Sequence, residues 1–192
     1  MREHFQFLQS FLKNPSQVGA IAPSGAELAR KMIEGIDSDK DNVVLEIGIG
    51  TGAITRYLQE LIPNRESYLG LEIEKCFVEK LHIEFPKLNI ICGDACHARD
   101  ILSQQEFGKV SYIISGMPFV VLPEKVSDGI LREVDKLMDE GCMFRTFQYF
   151  HGYNLPPARR FRQKLDERYG KVKRSSLILK NVPPAYTLTW QT

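Results

Sequence analysis

The chain has 192 residues, 43% of them hydrophobic and 26% charged, with a net charge of +1. These values describe one ordinary packed domain and exclude collagen-like, disordered and disulfide-scaffold classes. The longest stretch without Asp, Glu, Lys or Arg is the 14 residues from Val110 to Pro123, whereas a membrane-spanning helix needs about 20 apolar residues.

In chain order, the opening Met1-Arg2-Glu3-His4-Phe5 carries an early acid and no long apolar run, so no secretory signal is expected. The four cysteines, Cys76, Cys92, Cys96 and Cys142, form no C-x-x-C pair. They read as free thiols in a reducing, cytoplasmic setting, and no metal site is expected. From Arg2 to Lys13, Phe5, Leu8, Phe11 and Leu12 share one helical stripe, suited either to lying in a membrane interface or to capping a site. Ser24-Gly25-Ala26-Glu27 is a capping-box pattern that opens a helix running to about Ile36. Residues 1–42 are thus expected to form an N-terminal helical flap ahead of a core spanning 43–192, the whole being a single domain.

Apolar runs beginning at Val43, Ser67, Leu88, Val110 and Gly141 alternate with amphipathic stretches, the pattern of a parallel α/β sheet. Two of those stretches gather apolar faces: Phe77, Val78, Leu81 and Phe85 between Glu74 and Phe85, and Ile130, Leu131, Val134, Leu137 and Met138 between Pro123 and Glu140. After the fifth strand come a helix from about Pro157 to Tyr169, a strand from Lys171 to Leu179 and a last strand from Ala185 to Gln191. The final two are expected to pair as an antiparallel hairpin. A mostly parallel, Rossmann-like sheet of seven strands with an antiparallel last strand is the arrangement of class I methyltransferases.

Val43 to Ile47 leads into Gly48-Ile49-Gly50-Thr51-Gly52 and then a helix with Ile54, Leu58 and Leu61 inward. Glycines there remove the Cβ barrier, so backbone can approach a nucleoside closely. The same loop fits the G-x-G-x-x-A of dinucleotide enzymes, and Glu72, placed to accept both ribose hydroxyls, serves either cofactor. Glu46, giving E-x-G-x-G-x-G, and Asp94 in Gly93-Asp94-Ala95, placed for an adenine amine, separate the two. Together they look like S-adenosylmethionine methyltransferases, with Glu46, Gly48, Gly50, Gly52, Glu72, Asp94 and Ser115 as cofactor-binding candidates.

The fourth strand ends in Ser115-Gly116-Met117-Pro118-Phe119, where adenine-modifying amino methyltransferases carry an Asn or Asp. This corner resembles that of bacterial phospholipid N-methyltransferases, which act on phosphatidylethanolamine. Phe11-Leu12-Lys13-Asn14-Pro15, Val18 to Ser24 and Asn181-Val182-Pro183-Pro184-Ala185 resemble the same family. The resemblance implies that Asn14 to Ser24 fold over the cofactor and that Ser115 to Phe119 line the transfer pocket. Phe119 would stack near the amine, Ser115 Oγ or a nearby backbone carbonyl would accept from it, and Tyr149, His151 or Tyr153 would take or relay the proton. For the last three, aromatic packing beside a surface histidine is the alternative.

His151 to Lys180 carries nine Lys and Arg against Asp166 and Glu167, a local +7 set against −6 elsewhere. Such a block suits phosphate on a lipid, an anionic membrane surface or nucleic acid, or is simply a solvated face. Arg145 or Arg159 is the expected phosphate contact. A phospholipid substrate or peripheral attachment to the inner membrane face is the first reading. An rRNA adenine-N6 methyltransferase and a non-catalytic S-adenosylmethionine-binding scaffold are the alternatives.

Overall fold

The computed structural model describes residues 25–39, 41–105 and 107–192. The Phe5 to Leu12 stripe, the Ser24 capping pattern and the segment expected to cover the cofactor lie outside the described residues.

Strands β1 (Val43–Ile47) and β2 (Tyr68–Glu72) are buried at every position. A parallel sheet covered by helices on both faces hides both sets of alternating side chains. With β3 (Ile90–Cys92), β4 (Val110–Ser115), β5 (Met143–Tyr149), β6 (Lys173–Arg174) and β7 (Ala185–Gln191) they form one seven-stranded sheet in the order β3-β2-β1-β4-β5-β7-β6. β1 to β5 run parallel, and β7 enters antiparallel between β5 and β6 with a full ladder from Met143↔Gln191 to Tyr149↔Ala185. The expected sheet is present.

The period of two along each strand sorts the core into two layers. Leu45, Ile47, Leu69, Leu71, Ile113 and Phe144 face α5 (Glu124–Met138) and α6 (Pro156–Tyr169), meeting Ile130, Val134, Phe161 and Leu165. Val44, Tyr68 and Ile114 face the other way, toward α1 (Ala26–Ile33), α2 (Thr55–Leu58) and α3 (Lys75–Glu84), meeting Leu28, Met32, Leu58 and Leu81. A further helix, α4 (Ala98–Ser103), follows β3. The expected apolar faces are the buried ones, except that Phe77 is only partly buried and Leu61 lies past the end of the short α2, exposed. No helix among the described residues is long and apolar enough to cross a membrane.

The sixth strand is far shorter than the Lys171 to Leu179 expected. Lys173 pairs with Thr189 and Arg174 with Leu188, but the next pairing, Ile178 with Ala185, is one residue out of register. Ser175 produces the slip: its amide donates to Thr187 O at 3.1 Å and its hydroxyl accepts from Thr187 N at 3.0 Å. A side chain that takes the place of a ladder carbonyl ends regular pairing.

Arg145 also departs from expectation. Its guanidinium donates to the carbonyls of Met32 and Glu34 at 3.1 and 2.7 Å and to Thr189 Oγ1 at 2.9 Å, so it caps the open end of α1. Those groups hold it on the sheet and away from a phosphate-binding role.

Candidate active site

β1 is the strand from which the chain winds out to β2 and β3 before returning to β4 on its other side. Crevices form at the carboxyl ends of strands where winding reverses in this way. The glycine loop leaves β1 at that point, and the Ser115 corner leaves β4 beside it.

Gly48, Gly50 and Gly52 all have φ between 59° and 76°, a left-handed backbone that glycine adopts without strain. Each has a different neighbour. A Cβ on Gly48 would collide with Met117 Sδ, and one on Gly52 would lie 2.6 Å from the Phe85 ring. Among the described residues, a Cβ on Gly50 would meet nothing within 4 Å. Gly50 is therefore where the loop backbone is open to a ligand, while its neighbours are glycine for packing.

Glu72, 3% exposed, stands under this opening. Its Oε2 accepts from Gly50 N at 2.7 Å and its Oε1 from Glu74 N at 2.9 Å. Burial pushes its pKa up, and the two amides pull it back. Glu72 O also accepts from Gly93 N at 3.0 Å, tying the Gly93-Asp94 turn to the same strand end. Asp94 is exposed and accepts from Cys96 N at 2.8 Å, capping a single turn of 3₁₀ helix. An open glycine cradle, a strand-end carboxylate and a second acid one strand further on fit a nucleoside with a free ribose.

Glu46 occupies another place. It is 1% exposed, below the loop on the α1–α3 face, where Tyr68 Oη donates to it at 2.6 Å and Thr55 Oγ1 at 3.0 Å. Its carboxylate is engaged by hydroxyls of the protein, so it supports the loop from underneath. Burial lifts its pKa to about 7 despite both hydroxyls.

Ser115 and Phe119 likewise differ from the expected geometry. Ser115 is fully buried, with Oγ 3.4 Å from Ile47 O as donor and 3.2 Å from Met117 N as acceptor. Its hydroxyl straps the β4 exit to the β1 exit and is engaged at both lone pair and proton. The Phe119 ring, 6% exposed, stacks on Phe161 at 5.1 Å and meets Phe144 edge-on at 6.1 Å. It is a core side chain beneath the corner, because the turn Met117-Pro118-Phe119 carries it toward α6.

Tyr149 and His151 come together at the end of β5, rings stacked at 5.7 Å, with Tyr149 partly buried, its pKa raised by that burial, and His151 exposed. Tyr153 lies under two guanidiniums, Arg162 at 3.7 Å and Arg174 at 5.2 Å from its centroid. Of the basic block, Lys164 pairs with Asp128 and Arg168 with Asp135, both on α5, and Arg168 also with Asp139 at its C-terminal cap. Arg159, Arg160 and Lys180 are exposed. The four cysteines are free thiols.

Two residues of this site were not marked in the sequence: Tyr68 and Thr55. The only local trace is Tyr68-x-Gly70, an aromatic next to a glycine on one face of a strand.

The family model described as a methyltransferase domain matches residues 44–141. An ornithine lipid N-methyltransferase of Singulisphaera acidiphila is 26% identical over 72% of this chain and 73% of its own length. A ribosomal RNA small subunit methyltransferase A of Mycoplasma capricolum is 29% identical over 61% of this chain, a match that spans 46% of that protein. Among solved structures, the N-methyltransferase NodS of Bradyrhizobium japonicum, in complex with S-adenosyl-L-homocysteine, aligns over 98% of both chains with a TM-score of 0.62 at 10% identity.

Proposed function

The chain belongs to the methyltransferase-domain family, and from that premise we propose that it methylates the amine of a lipid headgroup, phosphatidylethanolamine or an ornithine lipid. It is an S-adenosylmethionine-dependent methyltransferase. When bound, that cofactor supplies an electrophilic methyl group on its sulfonium.

The observation that carries the lipid reading is the β4 exit. An exocyclic adenine amine has its lone pair delocalised into the ring, and reacting it calls for acceptors that hold both its hydrogens. Ser115 is committed to Ile47 and Met117, and Gly116, Met117, Pro118 and the buried Phe119 bring no side-chain carbonyl or carboxylate. An aliphatic amine needs only deprotonation and orientation. Orientation then falls to the corner's backbone carbonyls, and proton acceptance to the exposed His151 supported by Tyr149.

A second feature supports the same reading. Residues 141–165 and 170–192 contain no Asp or Glu. Within them, Phe150, Leu155, Leu179 and Val182 are exposed large apolar side chains, beside the exposed Arg159, Arg160 and Lys180. Phe150 N donates to Pro184 O at 2.8 Å, which brings the β5 exit and the loop before β7 to one rim. Exposed apolar groups among cations suit the interface of an anionic bilayer.

Incubation with methyl-labelled S-adenosylmethionine, separate mixed micelles of each aminolipid, and unmethylated rRNA tests the substrate. Label is expected in lipid extracts. Label on adenine N6 of rRNA, with none in lipid, would give the function to the alternative favoured by the rRNA relatives.

Vesicle sedimentation tests the rim. The protein is expected to favour anionic over neutral vesicles, and Leu155→Ser with Leu179→Ser is expected to lower the bound fraction several-fold. Equal retention on both vesicle types, unchanged by the substitutions, would remove the rim from the proposal.

A further inference from the structure

Glu46, Gly70 and Tyr68 share one face of two neighbouring strands: Glu46 is the register partner of Gly70, and Tyr68 lies two residues earlier on β2. A Cβ on Gly70 would sit 2.5 Å from Tyr68 Oη, 3.0 Å from Tyr68 Cε1 and 2.6 Å from Ile49 Cδ1. The Tyr68 ring therefore lies along its own strand in the space that glycine leaves, and its hydroxyl reaches across to Glu46 Oε2. Ile49, the second residue of the glycine loop, uses the same gap from above. On the other side of Glu46, Thr55 Oγ1 donates to both carboxylate oxygens, at 3.1 and 3.0 Å. Thr55 begins α2, directly after the loop, and both it and Tyr68 are fully buried.

We propose that Tyr68, laid across Gly70, is a positioning residue for cofactor binding: it holds the Glu46 carboxylate as an acceptor for Thr55 and so fixes both ends of the glycine loop. The inference rests on the cofactor assignment of that loop and adds to it the group that sets the loop's geometry.

The chemistry of the network follows from its acceptor. As a carboxylate, Glu46 receives both hydroxyls. Once protonated, it donates one proton itself and accepts less strongly, so the two hydroxyls are held less firmly. Among the described residues, no backbone amide or guanidinium is bonded to Glu46, and the titratable groups that face it are Tyr68 and Glu72, both on β2. Burial and Glu72 favour the protonated form, and the Tyr68 and Thr55 hydroxyls favour the carboxylate, with balance at about 7. Loop order, and with it cofactor affinity, is therefore greater above that pH than below it. Removing the Tyr68 hydroxyl takes away a group that favours the carboxylate, which shifts the transition upward.

The network also works against folding stability at alkaline pH. A carboxyl whose folded pKa is raised binds its proton more tightly in the fold than in the unfolded chain. Its ionisation therefore lowers stability as pH rises from the ordinary value of 4.5 through about 7.

Calorimetric titration with S-adenosylhomocysteine from about pH 6 to about pH 8.5 tests the proposal. Wild-type affinity is expected to rise with pH through a midpoint near 7. Tyr68→Phe is expected to move that midpoint upward and weaken binding near neutrality by about fivefold, the equivalent of one buried hydrogen bond. Gly70→Ala is expected to do the same with the hydroxyl still present, since the ring is displaced. Glu46→Gln is expected to flatten the profile and weaken binding while leaving thermal stability at alkaline pH no lower than wild type. Wild-type affinity and pH profile in Tyr68→Phe, with its melting temperature retained, would overturn the proposal. If Glu72→Ala abolishes binding while Tyr68→Phe and Glu46→Gln leave it intact, the cofactor site stands and the Tyr68 network falls.

Discussion

Glu72→Ala is expected to weaken S-adenosylmethionine binding by about 10- to 100-fold, the equivalent of roughly 1–3 kcal/mol for a buried polar partnership lost. The effect is large because one carboxylate serves three purposes: it accepts from Gly50 N at 2.7 Å, accepts from Glu74 N at 2.9 Å, and is the acid placed for the ribose hydroxyls. Alanine leaves two amides at the strand end without their acceptor, and the open turn at Gly50 loses its anchor. Glu72→Gln, which keeps one acceptor oxygen, is expected to fall between the two. Acid pH is expected to mimic the loss, since burial raises the Glu72 pKa and the neutral form accepts less well. The stability trend has the opposite sign: ionising a carboxyl with a raised folded pKa lowers stability as pH rises above 4.5. Titration calorimetry of wild type and both variants measures this, and unchanged affinity in Glu72→Ala, or preferential binding of NAD, would remove Glu72 from the cofactor site.

Phe119→Ala is expected to destabilise the fold by about 3–5 kcal/mol, the usual cost of emptying a large aromatic site in a packed core. The ring lies between Phe161 and Phe144 in the layer beneath α6, where Phe161 and Phe144 also meet Trp190. Neighbours on several sides limit collapse into the vacated volume. Phe119→Leu, which refills most of it, is expected to cost far less. Urea unfolding followed by tryptophan fluorescence reads the difference directly, since Trp190 belongs to the same cluster. A Phe119→Ala protein of wild-type stability with turnover alone reduced would restore the substrate-stacking role that the motif suggests.

The contrast between these two residues shows how much of the site the chain discloses locally. Glu72 ends an apolar run and precedes a helix, so its place at the carboxyl end of a strand follows from periodicity alone. Phe119 follows a Pro-containing corner, and periodicity says nothing about where a turn sends its last side chain. Met117 and Phe119 are two residues apart, yet Met117 packs on Gly48 while Phe119 enters the core. The same limit applies to Arg145, whose guanidinium meets the end of α1, a helix more than a hundred residues earlier.

By itself, the sequence determined the five parallel strands and the antiparallel last one, most of the apolar faces of α3 and α5, the glycine loop and the acids at the ends of β1, β2 and β3, but not α4 or the short β6. These depend on contacts between near neighbours and on side-chain periods of 2 and 3.6, which a one-dimensional pattern preserves. The tertiary structure alone decided what each of those acids touches. Glu72 and Glu46 have similar local contexts, each on a buried strand just before a turn. Glu46 is closed in because Tyr68 reaches it across Gly70 and Thr55 reaches it from α2, while Glu72 meets only backbone amides at the mouth of the loop. That difference is set by strand register, and register exists only once two distant segments pair.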